Sequence, residues 1–306
     1  MLLMLPLRYF LYPFVAVVIW AVNTIVTKMA AGVIEPTAIS FYRWFLAWLI
    51  LTPFIWRSVA RDWGKIRPLC PRLAVLGFLA MVVNQDLGYI AAQTTSATNM
   101  GIILSMMPVL TIGCAAWILG ERPTRMMLAG AALSLLGLFI LIAQGQPSRL
   151  LTQGIRVGDV LMLVAVFAYA LYGVLLRYWA IPLSPWLSLY VQIVFGVLFQ
   201  LPLFLLYPAS PLTPESMSMI LFAAVFASLF GPLLWIRGVQ LLGPSRATLF
   251  MNLMPVLTAI IAIVFLKEKL HVYHVVGGLL AMAGVLVAQG LPHRPSRPSQ
   301  PSRTIS

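Results

Sequence analysis

A chain of 306 residues that is 61% hydrophobic and only 9% charged cannot clothe a soluble core in polar surface. Its mean hydropathy of +0.98 excludes a water-soluble domain, and its formal charge of +13 is scattered between apolar runs rather than gathered into a nucleic-acid-binding face. The composition is that of an all-α polytopic membrane protein. A transmembrane barrel needs alternating segments of about ten residues, and runs such as Leu133 to Ala143 do not alternate.

A helix of about 20 residues crosses the hydrocarbon, and ten such runs are predicted: 11–32, 36–56, 71–92, 98–119, 123–143, 156–178, 185–207, 215–240, 246–266 and 271–290. Only Arg8 precedes the first, with no suitable small-residue cleavage site, so it reads as a retained helix. Its Trp20, Asn23, Thr24 and Thr27 recur at i, i+3, i+4 and i+7 and so share one face. Such a face points into the bundle, toward other helices or a water-filled cavity. The second span carries Tyr42, Arg43 and Trp44, and the third carries Asp86 and Tyr89. Arg43 and Asp86 lie at about the same depth, roughly 10 Å in at 1.5 Å per residue. They are expected to pair, as a structural bridge, as a clamp on a zwitterionic substrate, or with Asp86 carrying a coupling proton.

In the fourth span Gly101, Ser105, Pro108 and Thr111 share a face, as do Thr248, Asn252, Pro255 and Thr258 in the ninth. Each mid-span proline removes a backbone hydrogen bond, giving static curvature or a gating hinge. Tyr169 and Tyr172 in the sixth span and Trp235 in the eighth complete an aromatic set with Trp20, Tyr42, Trp44 and Tyr89. These rings either pack or offer an apolar surface with a polar tip to a ligand. Gly130 with Gly137, and Gly277 with Gly284, stand seven apart in the fifth and tenth spans and favour close packing within one monomer. Lys28 and Arg177 sit near helix ends, where they would snorkel. Glu121 and Glu268 close their spans beside Arg122 and Lys267 or Lys269, as loop anchors. His271 and His274 read as surface residues, and Cys70 and Cys114 give neither a disulfide framework nor a metal site.

The chain repeats itself. An offset of 147 sets Met107-Pro108-Val109-Leu110-Thr111 on Met254-Pro255-Val256-Leu257-Thr258, and Glu121 on Glu268. Earlier in each half an offset of 149 sets Trp20 on Tyr169, Lys28 on Arg177 and Pro36 on Pro185. Residues 1–145 and 146–290 are therefore expected to be two five-helix units, with 291–306 a disordered tail rich in Pro, Ser and Arg. Five crossings are odd, so the second copy enters from the other side and the repeats are inverted, a design of secondary transporters. With the termini cytoplasmic, fourteen of the 20 basic residues lie inside and five outside, with Arg43 within a span.

The two copies, "TTSATNMGIILSMMPVLT…LGERPTRMMLAGAALSLLGLFIL" and "LLGPSRATLFMNLMPVLT…LKEKLHVYHVVGGLLAMAGVLV", resemble the EamA repeat of the drug/metabolite transporter superfamily. The resemblance extends over about residues 11–290 and implies ten helices, alternating access and export of amino acids, other metabolites or drugs from the bacterial inner membrane. No protease, hydrolase or phosphate-binding motif is present, so no enzyme and no cofactor is expected. A channel or a structural membrane protein is the rival from another class. The scarcity of cavity charge speaks against multiply anionic substrates and leaves aromatic and other amino acids in front. The expected partners are a small-molecule substrate, the bilayer and, as coupling ion, protons, in a monomer or weak homodimer. The candidate substrate site comprises Trp20, Asn23, Tyr42, Arg43, Asp86, Tyr89, Ser105, Tyr169, Tyr172, Trp235 and Asn252, with Pro108 and Pro255 as gating residues.

Overall fold

Apolar runs punctuated by Pro, Gly and short polar turns give ten helical rods among the residues described by the computed structural model, namely 8–148, 155–206, 210, 212–242 and 250–289. They are α1 (Arg8–Ala30), α2 (Pro36–Ile66), α3 (Cys70–Ala91), α4 (Ala97–Ile118), α5 (Arg125–Ile142), α6 (Val157–Trp179), α7 (Pro185–Leu206), α8 (Pro214–Leu242), α9 (Phe250–Leu266) and α10 (Val272–Gln289). Seven helices are long and apolar enough to cross a membrane, with 36–91 counted as one, and α9 and α10 are shorter apolar helices. The predicted tail, Thr248, Arg149 and Arg246 lie outside the described residues.

The starts are chemically marked. Pro36 and Pro214 occupy first-turn positions, where a missing N–H costs nothing. Ser96, Thr124 and Thr213 accept from the backbone N–H of Asn99, Met127 and Ser216 at 3.0, 3.2 and 3.2 Å and so cap α4, α5 and α8. The ends show the repeat: α4 closes at Gly120 with φ +66°, and α9 closes 147 positions later at Lys267 with φ +54°. The turn needs the left-handed conformation, free for Gly120 and strained for Lys267. Each turn delivers the glutamate that follows it.

One boundary differs from expectation. The second helix runs ten residues past its apolar part, to Ile66, and passes through a short 3₁₀ turn (Arg67–Leu69) into α3 without a loop. Its polar end carries ion pairs from Asp62 to Arg61 (3.1 Å) and Lys65 (3.3 Å), and no Pro or Gly stands between Pro53 and Gly64 to stop it.

Both α3 and α8 contain π-helical stretches, Phe78–Val83 and Phe222–Phe230, at matching places in the two halves. The wider turn changes which carbonyls the helix itself uses. Carbonyls in these stretches serve side chains: Met81 O takes Gln200 Nε2 (2.8 Å), Ala223 O takes Ser228 Oγ (2.9 Å) and Ala227 O takes Trp20 Nε1 (3.2 Å).

The predicted glycine seam joins α5 to α10. A Cβ on Gly130 would lie 2.5 Å from Gly284 O, and one on Gly137 would lie 2.5 Å from Gly277 O. Between them Ser134, fully buried, donates to Ala281 O at 3.1 Å. The small faces are consumed inside one chain. Large apolar side chains such as Trp117, Phe54 and Leu206 face outward, 79%, 76% and 80% exposed, as the exterior of a bundle immersed in hydrocarbon requires.

Candidate functional site

The bundle has two ends, and they are built differently. At the end carrying Glu268, its carboxylate takes the N–H groups of Ala97 (2.8 Å) and Thr98 (3.1 Å) and the Thr98 hydroxyl (2.7 Å). A negative group thus fills the N-terminus of α4, where backbone donors and helix dipole both favour it. Beside it, buried Asp159 in the first turn of α6 accepts from the Thr95 hydroxyl and from Asn99 Nδ2 (3.1 Å). Lys28 Nζ donates to Ala92 O at 2.6 Å, tying α1 to the same turn. Thr95, Asn99 and Asp159 are sealed at 2%, 2% and 1% exposure. At the opposite end the repeat equivalents behave otherwise: Glu121 and Arg177 form an ion pair at 2.7 Å with side chains 47% and 68% exposed.

Between these ends a polar chain crosses the apolar interior. Arg43, 3% exposed, donates from Nε to Ser228 Oγ on α8 (2.7 Å) and from Nη1 to Gln85 Oε1 on α3 (2.8 Å), with Tyr89 OH at 3.5 Å. Its guanidinium lies over the Trp44 ring at 5.1 Å. Gln85 Nε2 donates to Asn84 Oδ1 (3.1 Å), and Asn84 Nδ2 to Ala165 O on α6 (2.8 Å). Next to Ser228, Ala227 O receives Trp20 Nε1, and the Trp20 and Trp235 rings stand 5.6 Å apart. One turn from Ala165, Tyr169 pairs with Tyr172 at 5.2 Å between ring centroids. Tyr169 lies within electrostatic reach of Arg43, and 37% of its surface is accessible.

The structure thus brings together Trp20, Arg43, Tyr89, Tyr169, Tyr172 and Trp235. It does not bring Asp86 to Arg43, contrary to expectation. The depths agree, but Gln85 and Asp86 are about 100° apart around the helix, and Gln85 is the residue that faces Arg43. Asp86 turns into the wedge between α2, α3 and α7, where Gln200 Nε2 donates to it at 2.9 Å and the Ser40 hydroxyl also bonds it. Gln200 donates besides to Ser40 Oγ (2.6 Å) and Met81 O (2.8 Å). Among the described residues neither Asp86 nor Arg43 forms an ion pair. Tyr42 also departs from the set, stacking edge-on against Phe204 at 5.1 Å in an apolar cluster with Ile39 and Met219.

Several polar faces satisfy themselves locally. The hydroxyls of Thr24 and Thr27 donate back to Trp20 O (3.2 Å) and Asn23 O (2.8 Å), and Ser105 to Ile102 O (2.6 Å). A polar side chain in hydrocarbon has its own helix as the nearest acceptor. Asn23 Oδ1 and Thr258 Oγ1 are buried and have no hydrogen-bond partner among the described residues. Asn252 lies half-buried in the 3₁₀ turn that opens α9 (Phe250–Leu253). Pro108 and Pro255 both open a fresh α-helical segment, Met107–Ile118 and Met254–Leu266, after an irregular turn at matching positions. Lys28 and Arg177 do not simply snorkel, since both hold protein acceptors. His274 is buried at 7%, its Nδ1 accepting from His271 N (3.1 Å), because α10 begins with a turn that folds it inward. Among the described residues no group of three or more His, Cys, Asp or Glu could hold a metal.

Sequence reasoning passed over Asn84, Gln85 and Ser228. The run Asn84-Gln85-Asp86 interrupts an apolar stretch with three polar residues, a signal that reaches beyond its charged member.

An all-helical bundle with an apolar exterior and a polar, aromatic interior between two unlike ends defines a polytopic membrane protein of the transporter kind. The EamA-like transporter family matches residues 7–143 and 156–289, once for each half. The chain belongs to that family, within the drug/metabolite transporter superfamily. It is 27% identical over 273 residues to an uncharacterized transporter of Bacillus subtilis, covering 88% of this chain and 89% of that one. A probable terminal-alkyne amino-acid exporter of Streptantibioticus cattleyicolor is 24% identical over 219 residues, 71% of this chain and 72% of that protein. A solved crystal structure shares the fold at a TM-score of 0.60 and 16% identity, covering 92% of this chain and 96% of its own.

Proposed function

We propose that the protein exports small metabolites, amino acids with aromatic ones among them, across the bacterial inner membrane by alternating access. In this reading ten helices cross the bilayer, both termini are cytoplasmic and the Glu268 end faces outward. The observation that supports it is the contrast between the ends: buried charged and polar bonds tie the Glu268 end together, whereas the repeat counterpart is one exposed ion pair, the asymmetry expected of a carrier closed more firmly on one side. An inward-open carrier with a single central site is what export by exchange of two inverted halves requires. Trp20, Tyr169, Tyr172 and Trp235 supply an amphipathic aromatic wall, Arg43 and Tyr89 the polar contacts, and Asn23, Ser105 and Asn252 border it on α1, α4 and α9. Pro108 and Pro255 act as hinges beside their irregular turns. The amino-acid exporter among the relatives supports the substrate class.

Asp86, bonded only by neutral donors, is the group able to carry a coupling proton. Counterflow in proteoliposomes preloaded with an amino-acid mixture, following labelled phenylalanine, threonine and glutamate with and without a pH gradient, tests the whole reading. Saturable exchange is expected, and Asp86→Asn should abolish the response to the gradient while leaving exchange. Absence of exchange for all three, in vesicles holding folded protein, removes amino acids from the reading.

A further inference from the structure

Arg43 presents a charge problem. A guanidinium keeps its proton under all physiological conditions, so it cannot escape burial by becoming neutral as a lysine or a carboxylate can. It lies in the membrane-embedded part of the bundle at 3% exposure, and the carboxylate at its own depth is turned to Gln200 and Ser40. Its protein partners are a serine hydroxyl, a glutamine carbonyl and a tyrosine hydroxyl, all neutral. These engage Nε and Nη1, and among the described residues no protein acceptor takes the N–H groups of Nη2. Trp44 covers one face of the guanidinium and leaves its edge to other partners. A buried, uncompensated charge costs several kcal/mol in hydrocarbon, and such charges are retained where a counter-charge completes them.

We propose that the missing counter-charge is the transported molecule, and that Arg43 anchors a single carboxylate whose apolar or aromatic body rests against Trp20, Trp235, Tyr169 and Tyr172. This rests on the reading of that interior face as the transport site. A fork of guanidinium donors suits a planar carboxylate end-on, with charge-assisted bonds roughly twice as strong as neutral ones. With one cation and no other basic group in the cluster, a doubly charged phosphate ester would remain half-compensated, so the class is monocarboxylate, zwitterionic amino acids included. Gln85 and Ser228 act as positioning residues, holding Nε and Nη1 so that the Nη2 edge is presented.

The test measures ligand-induced thermal stabilisation of the purified full-length protein, alongside counterflow. The probes share one ring: phenylalanine, 3-phenylpropionate, phenylalaninamide and phenylalaninol. Phenylalanine and 3-phenylpropionate should bind the wild type about tenfold or more tightly than the two probes lacking a carboxylate. Arg43→Gln should erase that preference and Arg43→Lys should retain it in weakened form. Ser228→Ala, which keeps the charge but releases Nε, should narrow the preference without erasing it, and the weakened preference of Arg43→Lys serves as the test if Arg43→Gln does not fold. Equal binding of acid and amide by the wild type, or an undiminished preference in Arg43→Gln, overturns the anchor. Counterflow of neutral or cationic compounds with no carboxylate bound overturns the anchor and leaves the transporter intact. Carboxylate binding lost in Arg43→Gln with no counterflow of any compound upholds the anchor and defeats the transporter reading.

Discussion

Adding one methyl group to the seam between α5 and α10 should do more harm than adding it anywhere else along those helices. At Gly137 the new carbon would stand 2.5 Å from both Ala281 N and Gly277 O, and at Gly130 it would stand 2.3 Å from Ala288 N. These neighbours are backbone, so relief requires the two helices to move apart along their whole contact. Overpacking of that kind costs about 1–3 kcal/mol, against which Gly→Ala in a helix recovers up to about 1 kcal/mol of propensity. Because the clash is with backbone, the upper part of that cost range applies, about 2–3 kcal/mol, and the expected net loss for Gly137→Ala is about 1–2 kcal/mol. Gly113→Ala and Gly173→Ala are controls of opposite sign, because nothing lies within 4 Å of a Cβ at either site. Thermal unfolding in detergent, followed by fluorescence-detected size exclusion, separates the two groups. Should Gly137→Ala melt at or above the wild-type temperature, the close-packed seam and the reasoning built on it fail.

Two further outcomes are expected. Replacing Glu268 by Ala should lower stability by about 2 kcal/mol, since three donors at the start of α4 lose a charged acceptor, whereas Glu121→Ala removes an exposed pair worth about 0–1 kcal/mol; equal losses by thermal unfolding would contradict the asymmetry between the ends. Single cysteines at Pro123 and at Leu270, in a background lacking Cys70 and Cys114, should react with an impermeant maleimide from opposite faces of oriented vesicles. Labelling of both from one face would falsify the inverted arrangement.

Much of the fold was legible because its signals are local. Apolar run length places most of the helices within a few residues, and only α2 outruns its hydrophobicity, continuing as a charged helix to Ile66. The 147-residue offset also sets Gly120 on Lys267, both left-handed, and Pro108 on Pro255, both just after an irregular turn. The glycine spacing correctly anticipates a close helix pair within the chain. What escaped depends on azimuth and long-range partners. Arg43 and Asp86 were placed at the right depth, but depth does not say which side of a helix faces which neighbour, and the π-helical turn at Phe78–Val83, just before Asn84-Gln85-Asp86, shifts the phase further. The partner of Glu268 lies about 170 residues away and carries no charge, so nothing near it in sequence points to α4.

The paired π-helical stretches have a kinematic consequence. Each is a surplus residue stored within a helix, and a stored residue can migrate one position by exchanging a single backbone bond at a time. Every such step rotates the stretch it passes through by about 100° relative to the rest of the rod. In α8 the stretch carries Ser228, and in α3 it ends two residues before Gln85, the two side chains that take Nε and Nη1 of Arg43. Migration there would act as a ratchet, releasing or restoring the grip on the guanidinium without either helix unwinding or leaving its place in the bundle.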